Sequence, residues 1–292
     1  MAKTKFPVGN SIISNESIPY FIAEIGINHN GDMNVVKKLI DAANATNWDS
    51  VKFQKREPDL AVPDHQKGVI RETPWGELTY LDYKKRIEFG KTEYDEINSY
   101  CLSKPLDWSA SPWDIPSVDF LAGYDLPFIK VPSAHNANNE LIKRCCELEI
   151  PIFLSTGMST MEETDHTVNF LEKHSNGEYV LLHTNSSYPA KNNELNLRLI
   201  ETLRERYGCL IGYSGHEQNL EPTVVAAALG AVVIERHVTL SHDMWGTDQM
   251  SSLEVNAMYL LRRRVLSAIE AVGDGVKKLG EDELKVRHKL RG

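Results

Sequence analysis

Short apolar runs alternate with amphipathic stretches along nearly the whole chain. The first run, Tyr20–Ile27 (YFIAEIGI), is followed by a polar NHNGD turn and by Met33–Ala45, whose apolar residues recur at helical spacing. Further runs at Ser50–Gln54, Leu106–Ser111, Phe128–Pro132, Ile152–Thr156, Val180–Thr184, Leu210–Tyr213 and Val232–Ile234 predict strands. Thr92–Ser103, Asp114–Ala122, Asn138–Leu148, Thr160–His174, Leu195–Tyr207, Glu221–Leu229 and Glu254–Val272 predict the helices that follow them, with Asp114 placed as an N-cap. The interval 55–90 breaks the rhythm. It is polar and rich in Pro, Gly and charge, so it is either functional or hides a short hairpin or helix. Strands alternating this regularly with helices indicate an α/β fold, a (β/α)8 TIM barrel over residues 1–280, with a doubly wound open sheet as the rival. The charged stretch 281–292 reads as a separate tail.

Composition narrows the function classes. A formal net charge of −9 over 292 residues argues against a nucleic-acid partner, although a local pocket can still take small anions. Four cysteines, Cys101, Cys145, Cys146 and Cys209, match no zinc or redox spacing and predict thiols in a reducing compartment. The amino terminus, MAKTKFPVGN, has no apolar signal core, and no run nears the roughly 18 residues of a membrane span. The expectation is a cytoplasmic protein with no membrane partner.

In a barrel the carboxyl ends of the strands meet in one mouth, so residues scattered along the sequence become neighbours. In order these are Glu24, Lys52, Gln54, Ser111, Lys130, Ser133, Ser155, Ser186, Tyr188, Ser214, His216, His237 and Asp248. Two lysines among serines suit a phosphate, and two imidazoles on neighbouring strand ends suit a shared divalent cation. Ser155-Thr156-Gly157 could add backbone N–H groups where a helix begins. Singly, each has a plain alternative. Lys52 and Lys130 could snorkel at the rim, the hydroxyls could cap turns, and Glu24 could pair with a lysine for structural reasons. His29 and His183 read as structural groups. The joint placement carries the argument.

The segments AEIGINHNGD, SVKFQ, IKVPSAHN, FLSTGMS, LLHTNSSYP, GYSGHE, IERHVTL and GTDQMSSLE resemble, in order, the N-acetylneuraminate (sialic acid) synthase family, over roughly residues 19–272. The resemblance implies condensation of phosphoenolpyruvate with an N-acylated amino sugar, giving a nine-carbon 2-keto acid and phosphate. It implies a divalent ion on His216 and His237, usually manganese, with magnesium or cobalt as alternatives. It puts phosphoenolpyruvate on Lys52, Ser111, Lys130, Ser133, Ser155, Ser186 and Ser214, and the sugar on Gln54, His135, Tyr188 and Asp248. Glu24 falls near the metal or its water, and a homodimer is expected. The runner-up is the same chemistry on another aldose, as in heptulosonate and octulosonate synthases. A different class would be a barrel that binds an anionic sugar without turnover.

The sequence also departs from the family pattern. KVPSAH stands for KIASGE, YSGHE for YSDHT and GTDQ for GPDH, which brings in His135, Gly215, Glu217 and Gln249. Three changes beside one substrate predict an altered acceptor. The family's small C-terminal antifreeze-like domain has an arginine that reaches the partner's sugar site, and the resemblance places the linker to that domain at about residues 281–292. His135, Arg56 or Arg71 are candidates for that arginine's place.

Overall fold

A computed structural model describes residues 1–291. Its first element is a hairpin, β1 (Lys5–Val8) paired antiparallel with β2 (Ser11–Ser14), in a stretch where the sequence pattern predicts nothing. β3 (Tyr20–Gly26) and α1 (Met33–Ala45) follow, and then β4 (Ser50–Lys55). The anomalous interval holds α2 (Pro58–Ala61), α3 (Asp64–Lys67), the hairpin of β5 (Ile70–Thr73) and β6 (Gly76–Thr79), and α4 (Tyr80–Ile87). It therefore contains both a hairpin and helices.

Regular alternation resumes with α5 (Lys91–Leu102), β7 (Asp107–Pro112), α6 (Ile115–Leu121), β8 (Ile129–Val131) and α7 (Asn139–Cys146). It continues through β9 (Ile152–Ser155), α8 (Met161–His174), β10 (Tyr179–Thr184), α9 (Leu199–Tyr207), β11 (Leu210–Gly215), α10 (Glu221–Ala228), β12 (Val233–His237) and α11 (Val255–Val272). An exposed helix, α12 (Glu281–Arg291), ends the description. The Asp114 carboxylate accepts from the Ser117 N–H at 2.8 Å, so the expected cap is present.

Eight parallel strands run in the order β7-β4-β3-β12-β11-β10-β9-β8. β7 and β8 lie side by side and close the ring without ladder pairing. There the Ser109 hydroxyl spans the seam, donating to the Phe128 carbonyl at 2.6 Å. Every strand is a neighbour of the next in sequence, which makes this a (β/α)8 barrel rather than an open sheet.

Alternation along the strands divides the core in two. Outward residues such as Phe21, Val51, Ile129, Leu154, Leu181 and Ile211 pack under the helices. Inward residues, among them Tyr20, Ile22, Phe128, Phe153, Val180, Leu182 and Val233, fill the lower barrel. Phe6, Val8 and Ile13 of the first hairpin join this inner cluster and plug the lower end. Phe128 and Phe153 stack there with ring centres 4.4 Å apart. With the lower barrel filled by apolar groups, the inward positions at the carboxyl ends are left to carry polar groups.

Candidate active site

The carboxyl ends of the strands surround a cavity of about 200 Å3 that opens to solvent. Its floor is a buried quartet of charges. Lys52 lies 2.6 Å from Glu24 and 3.8 Å from Glu235, while Lys130 lies 2.8 Å from Glu235. Lys52 also donates to the Ser111 hydroxyl at 2.9 Å, and Ser214 donates to Glu235 at 2.9 Å. Burial alone would raise the Glu235 carboxyl. The Lys130 and Lys52 ammoniums, with hydrogen bonds from Lys130 and Ser214, instead hold it well below the usual carboxylate range. Burial lowers the Lys130 ammonium, and Glu235 opposes that fall.

Gly26 shapes one edge of the floor. It has φ +56° and sits at a register shift between β3 and β4. A Cβ there would stand 3.2 Å from Glu24 Oε1, 3.3 Å from Gln54 Nε2 and 3.3 Å from His237 Cε1. The bulge thus lets three site residues converge. Gln54 donates to Glu24 at 3.2 Å and accepts from the Arg56 guanidinium. Across the barrel, a Cβ on Gly157 would meet Ser186 Oγ and would lie 2.7 Å from Ser133 Oγ. Two of the expected phosphate-binding hydroxyls therefore share one small space, next to Ser155 and Thr184, which are 3.4 Å apart.

The two histidines form the remaining wall, with ring centres 5.5 Å apart. Each follows from the alternation of its strand: His237 ends β12, and His216 comes directly after β11. His216 Nδ1 lies 2.6 Å from the Asn185 carbonyl, which can only accept, so Nε2 carries the lone pair and takes the Tyr188 hydroxyl at 2.9 Å. Burial, with the neighbouring His237, lowers His216 to about 3, so its imidazole is neutral at ordinary pH. His237 Nδ1 is buried without a hydrogen-bond partner and lies 3.8 Å from Asp248 Oδ2. Among the described residues no group of three His, Cys, Asp or Glu stands close enough to hold a metal ion. The histidine pair can still present one ring nitrogen each to one ion, with substrate or water completing its shell.

Of the residues expected at the mouth, twelve line the cavity: Glu24, Lys52, Gln54, Ser111, Lys130, Ser133, Ser155, Ser186, Tyr188, Ser214, and the two histidines His216 and His237, which complete one wall. His135 and Asp248 do not. His135 turns its ring edge-on to Trp113, 5.6 Å between centres, and Asp248 stands behind His237. Thr156 N–H is taken by the Leu182 carbonyl at 3.0 Å and α8 begins only at Met161, so 155–157 is not a helix start. His29 stacks on Phe89 at 4.2 Å and His183 bonds the Leu195 carbonyl at 2.7 Å, both structural as expected.

Two departures from the family pattern lie away from the cavity, which corrects their reading as acceptor-side changes. Glu217 is fully buried, accepting from Arg236 at 3.0 Å, Thr223 at 2.6 Å and Tyr213 at 2.8 Å. A Cβ on Gly215 would lie 2.6 Å from Glu217 Oε2 and 2.9 Å from Arg236 Cδ, so the glycine makes room for this network. Gln249 is buried too, accepting from the Thr239 hydroxyl at 2.5 Å. Sequence reasoning also missed Glu235, along with Thr184, Trp113 and Met158 on the walls. The signal for Glu235 was available: it sits two residues before His237, on the same face of a strand.

Known proteins bear on this arrangement. The model of the NeuB family matches residues 39–277. An N-acetylneuraminate-9-phosphate synthase of Drosophila melanogaster is 36% identical over 286 residues, 94% of this chain and 76% of that protein. An N,N'-diacetyllegionaminic acid synthase of Campylobacter jejuni is 34% identical over 270 residues, 90% and 80% of the two chains. The crystal structure of an N-acetylneuraminic acid synthetase from Leptospira borgpetersenii, in complex with citrate, superposes with a TM-score of 0.87 at 27% identity, covering 100% of this chain and 98% of that one. With a family match over most of its length and a curated relative above 30% identity, this chain belongs to the NeuB family.

Proposed function

We propose that the protein condenses phosphoenolpyruvate with the aldehyde of an open-chain amino sugar, giving a 2-keto-3-deoxy sugar acid and phosphate, with a divalent ion such as manganese on His216 and His237. The buried Glu24–Lys52–Glu235–Lys130 quartet, set beneath a histidine pair, carries this reading. The relatives are named for making N-acetylneuraminate 9-phosphate and N,N'-diacetyllegionaminic acid, both sugar acids of this kind. Four buried, unpaired cysteines support a reducing compartment. No helix among the described residues is long and apolar enough to cross a membrane.

Charge balance supports the cation. Two carboxylates and two ammoniums cancel within the quartet, so a polyanionic substrate calls for further positive charge. When bound to His216 and His237, a divalent ion would act as a Lewis acid towards the aldehyde oxygen. The chain's own residues do the rest. Lys52 and Lys130 hold the phosphate before and after it departs, and Ser133, Ser155 and Ser186 fill its remaining acceptor positions. Glu235 opposes the loss of the Lys130 proton in a dry site.

C3 of phosphoenolpyruvate forms the new bond to the aldehyde carbon, whose oxygen takes up a proton. C2 then carries positive character beside the Glu24 carboxylate, which orients the incoming water and accepts its proton. As the bond from C2 to the bridging oxygen breaks, its electron pair leaves with the phosphate, the proton of the new C2 hydroxyl passes to that phosphate, and the C2 carbonyl of the keto acid forms.

The test is a mass-spectrometric search for product from phosphoenolpyruvate, manganese and a panel of aldoses, N-acetylmannosamine and diacetamido sugars included. A sugar acid that needs both substrates, and that His237→Ala abolishes, is expected. Phosphate release that ignores the aldose, or product formation unchanged in His237→Ala, would overturn the proposal.

A further inference from the structure

The two histidines of the cavity wall differ in what stands behind them. His216 is held from the rear: its Nδ1–H donates to the Asn185 carbonyl at 2.6 Å, which fixes the tautomer and leaves the lone pair on Nε2. His237 has no such hold. Its Nδ1 is buried without a hydrogen-bond partner among the described residues, so the ring presents Nε2 to the cavity. A buried polar atom left alone in a native fold calls for an explanation. Facing it at 3.8 Å is Asp248 Oδ2, too far for a hydrogen bond.

Asp248 is placed for this contact by its surroundings. The Leu253 N–H donates to the His237 carbonyl at 2.7 Å, and the Thr239 N–H to the Leu253 carbonyl at 2.9 Å, which ties the connection after β12 back to that strand. The Ser252 hydroxyl donates to the Asp248 carbonyl at 2.7 Å and accepts from Asn28 at 2.8 Å. The backbone of Asp248 is therefore anchored, and a turn of its side chain by about 1 Å would bring Oδ2 within hydrogen-bond range of Nδ1. Oδ1 takes the Thr247 hydroxyl at 2.7 Å, whereas Oδ2 accepts no hydrogen bond among the described residues. Two plainer roles do not fit. As a cap, Asp248 would bond the turn 249–251 that it precedes, and its side chain makes no such bond. As a sugar contact it would line the cavity, and it does not.

Resting on the proposed ion at His216 and His237, we infer that Asp248 is a positioning residue for His237, the counterpart of the Asn185 carbonyl behind His216. For Nε2 to offer its lone pair to a cation, the ring proton must be on Nδ1, and a donor there needs an acceptor. Asp248 Oδ2 supplies it. The contact fixes the ring, makes Nε2 a better donor, and sets a carboxylate behind the ion where the charged quartet is neutral overall.

The test is manganese binding to the full chain by calorimetry, with no aldose and no phosphoenolpyruvate present. Asp248→Ala should weaken binding about tenfold or more, the usual loss when a group behind a ligating histidine is removed. Asp248→Asn, which keeps an oxygen acceptor but no charge, should lose less. With diamagnetic zinc in place of manganese, one further imidazole N–H signal should appear in the proton spectrum. It is assigned by its loss in His237→Ala, and it should be missing from Asp248→Ala. Thermal melts show that each variant is folded, and Asp248→Asn decides the matter should Asp248→Ala melt early. Manganese affinity unchanged in both Asp248 variants, with binding still lost in His237→Ala, overturns the positioning role and leaves the ion in place. No manganese bound by the unaltered protein, or binding untouched by His237→Ala, overturns the ion and the positioning role together.

Discussion

Replacing Glu235 by glutamine would leave the Lys130 ammonium buried opposite a neutral amide and would unbalance the quartet. Removing one partner of a buried pair costs about 3 kcal/mol or more. The Glu235→Gln protein should therefore unfold at clearly lower urea than the parent, and its turnover should fall about a hundredfold, as when one preorganised charge contact is lost. Equal midpoints and rates would show that Glu235 is a bystander. That sequence reasoning passed over this residue has a physical cause. The apolar run at Val232–Ile234 ends three residues before the strand does, because the last inward positions of a barrel strand face the substrates rather than the core. Read as far as His237, strict alternation puts Glu235 inward and Arg236 outward, as observed. Lysines, serines and histidines were legible because each follows an apolar run closely. His135 and Asp248 belong to connecting segments, where no periodicity fixes direction.

At the level of elements, the packing of α10 against β11 and β12 depends on the Glu217–Arg236 pair, both members fully buried. Glu217→Gln should lower stability by about 3 kcal/mol or more, read from urea unfolding, and leave the order of preference among acceptors as it was. A changed acceptor order with unchanged stability would restore the reading of YSGHE as a specificity change. The pair could not be seen in the sequence, because a charged residue after a strand looks the same whether it faces the mouth or the helix layer. Gly215 was the available hint, since a residue without a Cβ marks a close approach. The helix at Asp114 and the insertion at 55–90 were legible from a cap and from an interrupted rhythm. The contents of that insertion were not, since β5 and β6 are only four residues each and bury little of their surface.

For the whole molecule, eight repeats of one strand and one helix were enough to foresee a barrel, because parallel strands with short crossovers close in sequence order. The plug was not foreseen. Phe6, Val8 and Ile13 alternate over too few residues to stand out, and they become a core element only once the ring offers them an open lower end. Filling that end with apolar side chains makes the upper end the chain's chemical face, where the charged floor, the hydroxyls and the histidines meet. On the proposed chemistry, this face joins two substrates by breaking the bond between C2 and oxygen. The most direct measurement is the reaction run in 18O-labelled water with manganese, phosphoenolpyruvate and an accepted aldose, followed by mass analysis of both products. Phosphate free of solvent oxygen, released only when the aldose is present, is expected, with label entering the sugar acid at C2. Labelled phosphate, or release without an aldose, would mean that water attacks phosphorus and would contradict that chemistry.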